Sequence, residues 1–526
     1  MTDAGRLAAL ASPAGYPHAP AEVRVLQTHL SIVCLAGDLV YKLKKPVTLP
    51  FVDFAPLAAR RQACRDEVRL NRRLCPDVYL GTAALRRQDG GVLRFAALGD
   101  DDGADDLDVA VVMRRMPQDR MLDELLRRGA VDVDAIAALA RQIADFHGRC
   151  ERPAAAIAQA TPGELAGFAA DNFAALGQPP LLGLDATLLA AAADASADAF
   201  ARLLPTLAAR AAAGRVVDGH GDLHARNVCM TAPPSIYDCI EFEPRFRIGD
   251  VATEIAFLTM DLRHRGAHAL AAAFVSAYAA AAQDPAIAAL QPTLCSYRAM
   301  VRAKVAMLAA ADDGLPTADR AGARNSAARH LLLAAACLAE ARGPRWLVLC
   351  GPPASGKSVL AAELAALAAW PVIATDVVRK ELAGVPTDAR LPAASYTEAA
   401  AAAVYAELLR RATAATRAGA PVVVLDGNFA TPALRAQAAD GAAAAGARTL
   451  VGHVAIDRAT AIRRAGERSS SGASASDADA MVASARHAAF LAPTAAEGIA
   501  HATLDGTLTP AELAAQLLAA LLPKEP

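Results

Sequence analysis

One stretch constrains the C-terminal part of this chain more than any other: Gly351-Pro352-Pro353-Ala354-Ser355-Gly356-Lys357-Ser358, a complete G-x-x-x-x-G-K-S loop. It follows the apolar run Trp346-Leu-Val-Leu-Cys350 and opens an alanine- and leucine-rich helical stretch. A glycine-rich turn between strand and helix lets backbone N–H groups face inward around phosphates, and the helix N-terminus adds positive potential. Lys357 is expected to reach the β- and γ-phosphates, and the Ser358 hydroxyl to ligate Mg²⁺. The expected ligand is a nucleoside triphosphate.

At 526 residues the chain exceeds one ordinary core. With 54 % hydrophobic and 21 % charged residues it should fold and not stay disordered. Aromatics supply only 4 %, so the cores are expected to consist of Leu, Val, Ile and Ala. A formal net charge of −2 argues against a general nucleic-acid or membrane surface. Nine cysteines stand singly, with no C-x-x-C pair, which reads as reduced thiols and neither disulfides nor zinc. The N-terminus has no basic stretch leading into an apolar one, and the tract from Ala267 to Ala282 is too short to span a bilayer. The expected location is the cytoplasm, with no membrane partner.

Upstream, Leu30–Leu35 and Leu39–Leu43 read as strands joined by a turn at Ala36-Gly37-Asp38. A helix is expected over Ala58–Leu74, with Glu67 on the same face as Leu70 and Leu74. Asp100–Asp108 reads as a solvated turn before a strand at Val109–Met113, and Ser469–Ser476 as a flexible loop. Gly343-Pro344 punctuates the end of a long helical region, and strands then alternate with helices at Trp346–Leu349, Val372–Ala374, Val422–Leu425 and Thr449–Ala455. That alternation predicts a parallel sheet with flanking helices. The expected division is 1–342 and 343–526.

Within the first part, His220-Gly221-Asp222-Leu-His224-Ala-Arg-Asn227 fits H-G-D-x-x-x-x-N, close to the catalytic loop of protein kinases. In that pattern Asp222 accepts or orients the proton of an attacking hydroxyl, and Asn227 reaches Mg²⁺ on the nucleotide. Ile236-Tyr-Asp238-Cys-Ile240-Glu241-Phe-Glu243 supplies carboxylates where a second metal ligand belongs. His220 and His224 read as residues that structure the loop and not as metal ligands. With Ile248-Gly-Asp250 and Glu254 downstream, this region resembles the aminoglycoside phosphotransferase family, with its H-G-D-x-H-x-x-N loop.

The resemblance implies a protein-kinase-like, two-lobed α+β domain. It implies Lys42 as the phosphate-pairing lysine, with Lys44 on the same strand face, and Glu67 as the ion-pair partner. It also places the hinge beside the adenine at Val111–Pro117. Motif context favours Glu241 as metal ligand although the family carries Asp there, with Asp238 a close second. An acidic pocket for a polycationic drug would have to come from Asp100–Asp108, which makes true aminoglycoside resistance the weakest reading.

In the second part, Thr375-Asp376-Val-Val-Arg379-Lys380-Glu-Leu-Ala-Gly384 follows the second strand, which puts Asp376 and Arg379 at the carboxyl edge of the sheet. Asp376 is a candidate base for a substrate hydroxyl and Arg379 a candidate holder of a polar or anionic substrate. Asp426 ends a strand where it would orient water on Mg²⁺. The stretch resembles the gluconate kinase, polynucleotide kinase and zeta-toxin group of P-loop phosphotransferases. That resemblance implies a lid in which Arg464 and Arg468, followed by Ser476-Asp477, neutralise the transferred phosphoryl group. The whole reads as a P-loop NTPase α/β domain behind a kinase-like one. Together they imply ATP, Mg²⁺ and small-molecule hydroxyl acceptors; nucleic acid is not expected, though a polynucleotide acceptor for the C-terminal part stays open. A nucleotide-dependent ATPase switch with a pseudokinase N-terminal half is the alternative.

Overall fold

The computed structural model describes residues 3–28, 30–49, 52–88, 92–387, 389, 391–471 and 480–523. The chain falls into two compact units, Met1–Leu165 with Leu204–Gln291, and Ala166–Leu203 with Pro292–Pro526. The three divisions between these units lie inside the helices Pro162–Leu176, Ala186–Ala212 and Ile287–Ala311. Among the described residues no helix is long and apolar enough to cross a membrane. All nine cysteines are buried free thiols.

The first unit is built on a six-stranded antiparallel sheet, ordered Val23–Gln27, Ser31–Ala36, Leu39–Lys44, Asp106–Arg114, Tyr79–Arg87, Leu93–Phe95. The expected hairpin forms, with Ala36 paired to Leu39 across Gly37 at φ +62°. Side chains alternate across the sheet. Tyr41 and Leu43 enter one core with Ile32, Phe95 and Val112, whereas Val40 packs on the other face with Cys64, Val68 and Val111. That second face carries the helix Leu57–Asn71, so Lys42 and Lys44 necessarily point towards Glu67.

The acidic run is a solvated turn only in part, with Asp100, Asp102 and Asp105 exposed. The strand already begins at Asp106, and Asp101, Asp106 and Asp108 are buried. Arg60 bonds Asp108 at 2.9 Å, Arg61 bonds Asp106 at 3.1 Å, Arg65 bonds Asp101 at 3.0 Å, and Arg86 bonds both Asp106 and Asp100 at 2.7 Å. Four arginines consume these carboxylates, because a buried carboxylate without a partner is strongly disfavoured.

The second unit holds a five-stranded parallel sheet, ordered Val372–Ala374, Val422–Asp426, Arg345–Cys350, Arg448–Ala455, His501–Asp505. The strand Arg345–Cys350 is buried throughout, with Trp346 donating to Thr416 Oγ1 at 2.8 Å. It lies at the switch point where successive connections leave in opposite directions, and ligands bind at the carboxyl ends of such strands. The helix Arg458–Ser471 absorbs the first residues of the serine run, so Ser469–Ser471 are helical and not loop. Residues 472–479, including Ser476 and Asp477, lie outside the described residues.

Candidate functional site

In the first unit the strand Val216–Asp218 pairs antiparallel with Ile248–Asp250 and delivers the loop from His220 to Asn227. Two glycines permit this path. Gly221 adopts φ +85°, and a Cβ there would lie 2.8 Å from the Phe246 carbonyl. A Cβ on Gly219 would lie 2.1 Å from Glu254 Oε2, which accepts the N–H groups of His220 and Gly221 at 2.7 and 3.2 Å. Burial alone would push the Glu254 carboxyl up, but His147, whose Nε2 stands 2.9 Å away, and the loop amides hold it at about 2.

His220 serves the loop. Its Nδ1 accepts the Asp222 N–H at 3.3 Å and its Nε2 donates to the Tyr237 carbonyl at 2.9 Å, while burial lowers its pKa. Asn227 Nδ2 donates to Asp222 Oδ2 at 3.1 Å and to the Asp222 carbonyl at 3.0 Å. His224 Nε2 stands 3.4 Å from the same carboxylate.

Opposite this loop lies a cluster of two lysines and three carboxylates. Lys42 Nζ bonds Glu67 Oε1 at 2.9 Å and also pairs with Asp238; Lys44 Nζ bonds Glu67 Oε2 at 2.5 Å and also pairs with Glu241. Burial works against the charge on each lysine, yet the carboxylates raise both pKa values; the lysines likewise hold Glu67 below its usual range against its burial. The two candidate metal ligands differ in access. The Asp238 side chain is 41 % exposed and that of Glu241 only 5 %. Asp238 has φ +64°, a left-handed conformation that Asp tolerates better than most residues. Its N–H donates to the Tyr79 hydroxyl at 3.2 Å, and the next N–H, from Cys239, donates to Asn71 Oδ1 at 2.9 Å. Tyr79, Asn71 and His147 have no signature in the local sequence, because their partners lie far along the chain.

The expected hinge begins inside the strand Asp106–Arg114 and continues past its end. Among the described residues no group of three or more His, Cys, Asp and Glu side chains is arranged to hold a metal by itself.

In the second unit the glycine-rich loop leaves the strand at Cys350 and enters the helix Lys357–Ala368. Pro352 and Pro353 carry no N–H, so donors to a phosphate come from Ala354 onward. Ala354 sits at φ +63° and Gly356 at φ +111°, backbone shapes stored in a site that needs them. Gly351 is pressed against the sheet, a Cβ there falling 2.6 Å from the Val454 carbonyl. Lys357 Nζ folds back on the carbonyls of Gly351 and Pro352, both at 2.8 Å, and lies 3.4 Å from Ser355 Oγ, while Ser358 is exposed.

Register brings the other residues to this edge. Asp426 pairs with Leu349 on one side and with Ala374 on the other, so Asp426, the loop and Asp376 emerge together. Arg379 lies one turn beyond Asp376 in the helix Thr375–Leu382, stacked 5.0 Å from the Tyr396 ring. Its Nε and Nη1 are buried with no hydrogen-bond partner among the described residues. Tyr405, whose hydroxyl accepts the Phe429 N–H at 3.2 Å, lies within electrostatic reach of both Arg379 and Asp376. Arg464 donates to the Gly506 carbonyl at 2.8 Å, and a Cβ on Gly506 would lie 2.7 Å from the Ser355 carbonyl, which puts Arg464 beside the loop. Arg468 belongs to the same helix, but its side chain lies outside the described residues.

Residues 50–292 match the family model described as "Phosphotransferase enzyme family", and residues 347–493 match that described as "AAA domain". Among solved structures, a choline/ethanolamine kinase family protein from Mesorhizobium loti aligns at 16 % identity over 64 % of this chain and 99 % of its own, with a TM-score of 0.36. A gluconokinase from Sinorhizobium meliloti 1021 aligns at 18 % identity over 34 % of this chain and 91 % of its own, with a TM-score of 0.26. The uncharacterized protein Rv2004c of Mycobacterium tuberculosis is 34 % identical over 420 residues, 79 % of this chain and 80 % of that protein. The chain belongs to the same family as that mycobacterial protein, and it carries a kinase-like phosphotransferase-family domain followed by a P-loop NTPase domain.

Proposed function

We propose that this protein is an ATP-binding, Mg²⁺-dependent phosphotransferase with two separate sites, each moving the γ-phosphoryl group to a small-molecule hydroxyl. The observation that carries this reading is Lys42 held between Glu67 and Asp238, opposite a loop in which Asn227 and Asp222 are hydrogen-bonded to each other. Lys42 pairs with the nucleotide phosphates and Glu67 fixes its position. Asp222 orients the acceptor hydroxyl and takes its proton. Asn227 and Asp238 are the metal ligands; Asp238 is preferred to Glu241 because its carboxylate is accessible, whereas Glu241 is buried against Lys44. The donors are all oxygens, as Mg²⁺ requires, and a magnesium ion shared with phosphates needs only one or two protein carboxylates. When bound, Mg²⁺ neutralises charge on the β- and γ-oxygens.

In the second site Lys357 turns from the loop carbonyls to the phosphates, Ser358 and Asp426 serve the metal, and Asp376 is the base. Arg379 holds an acceptor that carries an anionic or strongly polar group, which its buried Nε and Nη1, without a hydrogen-bond partner among the described residues, support. Arg464 and Arg468 neutralise the transferred group. This half acts as a kinase of the gluconate kinase, polynucleotide kinase and zeta-toxin type, and the functional boundary falls between Arg342 and Gly343.

A second reading has its own observation. Both carboxylates near the metal position are engaged by lysines, as in a pseudokinase scaffold that regulates a P-loop ATPase. Calorimetric titration of Mg·ATP into full-length Lys357→Ala separates the two. The phosphotransferase reading expects one remaining Mg²⁺-dependent ATP site that disappears when Asp238→Asn is added. An Lys357→Ala protein that binds no ATP leaves the first half a scaffold.

A further inference from the structure

A cavity of about 710 Å³ opens in the first unit between the end of the helix Val133–Arg149, the turn at Gly214, the first residue of the helix Val251–His264 and the last turn of the helix His268–Ala281. None of Lys42, Glu67, Asp222, Asn227, Asp238 and Glu241 lines it. Its walls carry Arg149, Arg152 and Arg215 against a single carboxylate, Asp145. The guanidinium groups are held in place by carbonyls. Arg152 donates to Cys150, Gly214 and His147 at 3.0, 3.1 and 3.4 Å, Arg215 to Ala282 and Gln283 at 3.2 and 3.3 Å, and Arg149 to Asp145 at 3.2 Å. Asp284 is the carboxylate nearest to Arg215, at 3.9 Å, and it is already engaged by Arg210 at 2.8 Å. Carbonyl partners orient a guanidinium without cancelling its charge, and each guanidinium keeps further N–H donors for a ligand. Guanidinium groups fixed in this way, with N–H donors to spare, suit phosphate oxygens, which they meet two at a time. The volume lies within the range of about 300–1,000 Å³ typical of small-molecule sites.

The same cavity touches the support of the His220–Asp222 loop. Tyr278 lines it, and the Tyr278 hydroxyl stands 2.6 Å from His147 Nδ1. His147 Nε2 donates to Glu254 at 2.9 Å, so the ring joins the Tyr278 hydroxyl to the Glu254 carboxylate. Glu254 in turn holds the N–H groups of His220 and Gly221. A second connection is through the backbone: the Val251 N–H donates to the Arg215 carbonyl at 3.1 Å, and the Asp218 N–H to the Glu151 carbonyl at 3.0 Å.

We propose that this cavity binds a phosphorylated small molecule and that its occupancy is transmitted through Tyr278, His147 and Glu254 to the backbone of the His220–Asp222 loop. Inorganic pyrophosphate and inorganic phosphate are the probes, titrated calorimetrically into the full chain. One class of pyrophosphate site should persist in Lys357→Ala and weaken by about ten-fold or more in Arg149→Glu, a change at an exposed position whose melting curve is recorded alongside. Arg152→Gln, checked by its melting curve, should weaken the same class. Pyrophosphate binding by Arg149→Glu and by a folded Arg152→Gln that equals the parent's overturns the site. Free phosphate binding as tightly as pyrophosphate overturns the larger ligand.

Transmission is read by hydrogen exchange of the amides at 219–222. Pyrophosphate should slow them in the parent and in Lys357→Ala, but not in Arg149→Glu. Tyr278→Phe should keep the binding and lose the slowing. Unchanged exchange in the parent, or slowing that survives Tyr278→Phe, overturns the relay. Neither readout requires turnover, so a failure here leaves the phosphotransfer reading standing.

Discussion

The two candidate phosphate lysines are held by opposite chemistry. Lys357 is restrained by neutral carbonyls five and six positions away in its own loop. Lys42 is restrained by carboxylates 25 and 196 positions away, and Lys44 repeats the arrangement with Glu67 and Glu241. The loop site is a local device: one strand–loop–helix segment holds its lysine, and a phosphate takes the place of carbonyls. The kinase-like site is a tertiary device that forms only when the sheet, the helix Leu57–Asn71 and the segment around Asp238 have come together. On the proposed reading, incoming phosphates would meet lysines already paired with carboxylates, and Mg²⁺ held by Asp238 would free Lys42 for the nucleotide. ATP binding at the kinase-like site should therefore depend more steeply on Mg²⁺ than binding at the loop.

Substitutions sharpen this contrast. Asp222→Asn should lower acceptor transfer at the kinase-like site by about 10²–10⁴-fold with ATP affinity unchanged, measured by steady-state kinetics in the Lys357→Ala background. Lys357→Ala should weaken nucleotide binding at the loop by about 100-fold or more while the Mg²⁺-dependent site built on Lys42 keeps its affinity in calorimetry. Glu254→Gln tests the support of the loop. Its carboxyl is depressed from 4.5 to about 2, so it contributes stability at pH values above 4.5 and loses it as pH falls towards 2. That contribution is about 3 kcal/mol. Glu254→Gln should be less stable near neutrality and show a flatter loss over that acid range in circular dichroism. Arg379→Lys keeps the charge but not the planar fork, and should raise the acceptor KM at the loop site about ten-fold while the KM for ATP stays the same.

The same contrast explains what the sequence made legible. The loop at Gly351–Ser358, the hairpin around Gly37 and the helix carrying Glu67 were readable because each is specified by neighbours in the chain. That Lys42 and Lys44 share a face followed from strand periodicity, but that both would meet Glu67 and then part to Asp238 and Glu241 did not. The acidic run misled for the same reason: Arg60, Arg61 and Arg65 lie tens of residues before the carboxylates they neutralise, and composition alone made Asp100–Asp108 look solvated. Motif context favoured Glu241 as the metal ligand; its burial against Lys44, visible only in three dimensions, shifts the preference to Asp238. The strand His501–Asp505 was not anticipated, since its place is set by pairing with Val451–Ala455.

The most direct test of two independent sites is γ-phosphoryl transfer from ATP by the wild type, Lys357→Ala and Asp222→Ala, each with and without a library of metabolite hydroxyls. Two sites predict one set of acceptors phosphorylated by Lys357→Ala but not by Asp222→Ala, and a second set with the reverse dependence. Turnover that falls only in Lys357→Ala, with no acceptor stimulating it, would contradict the dual phosphotransferase.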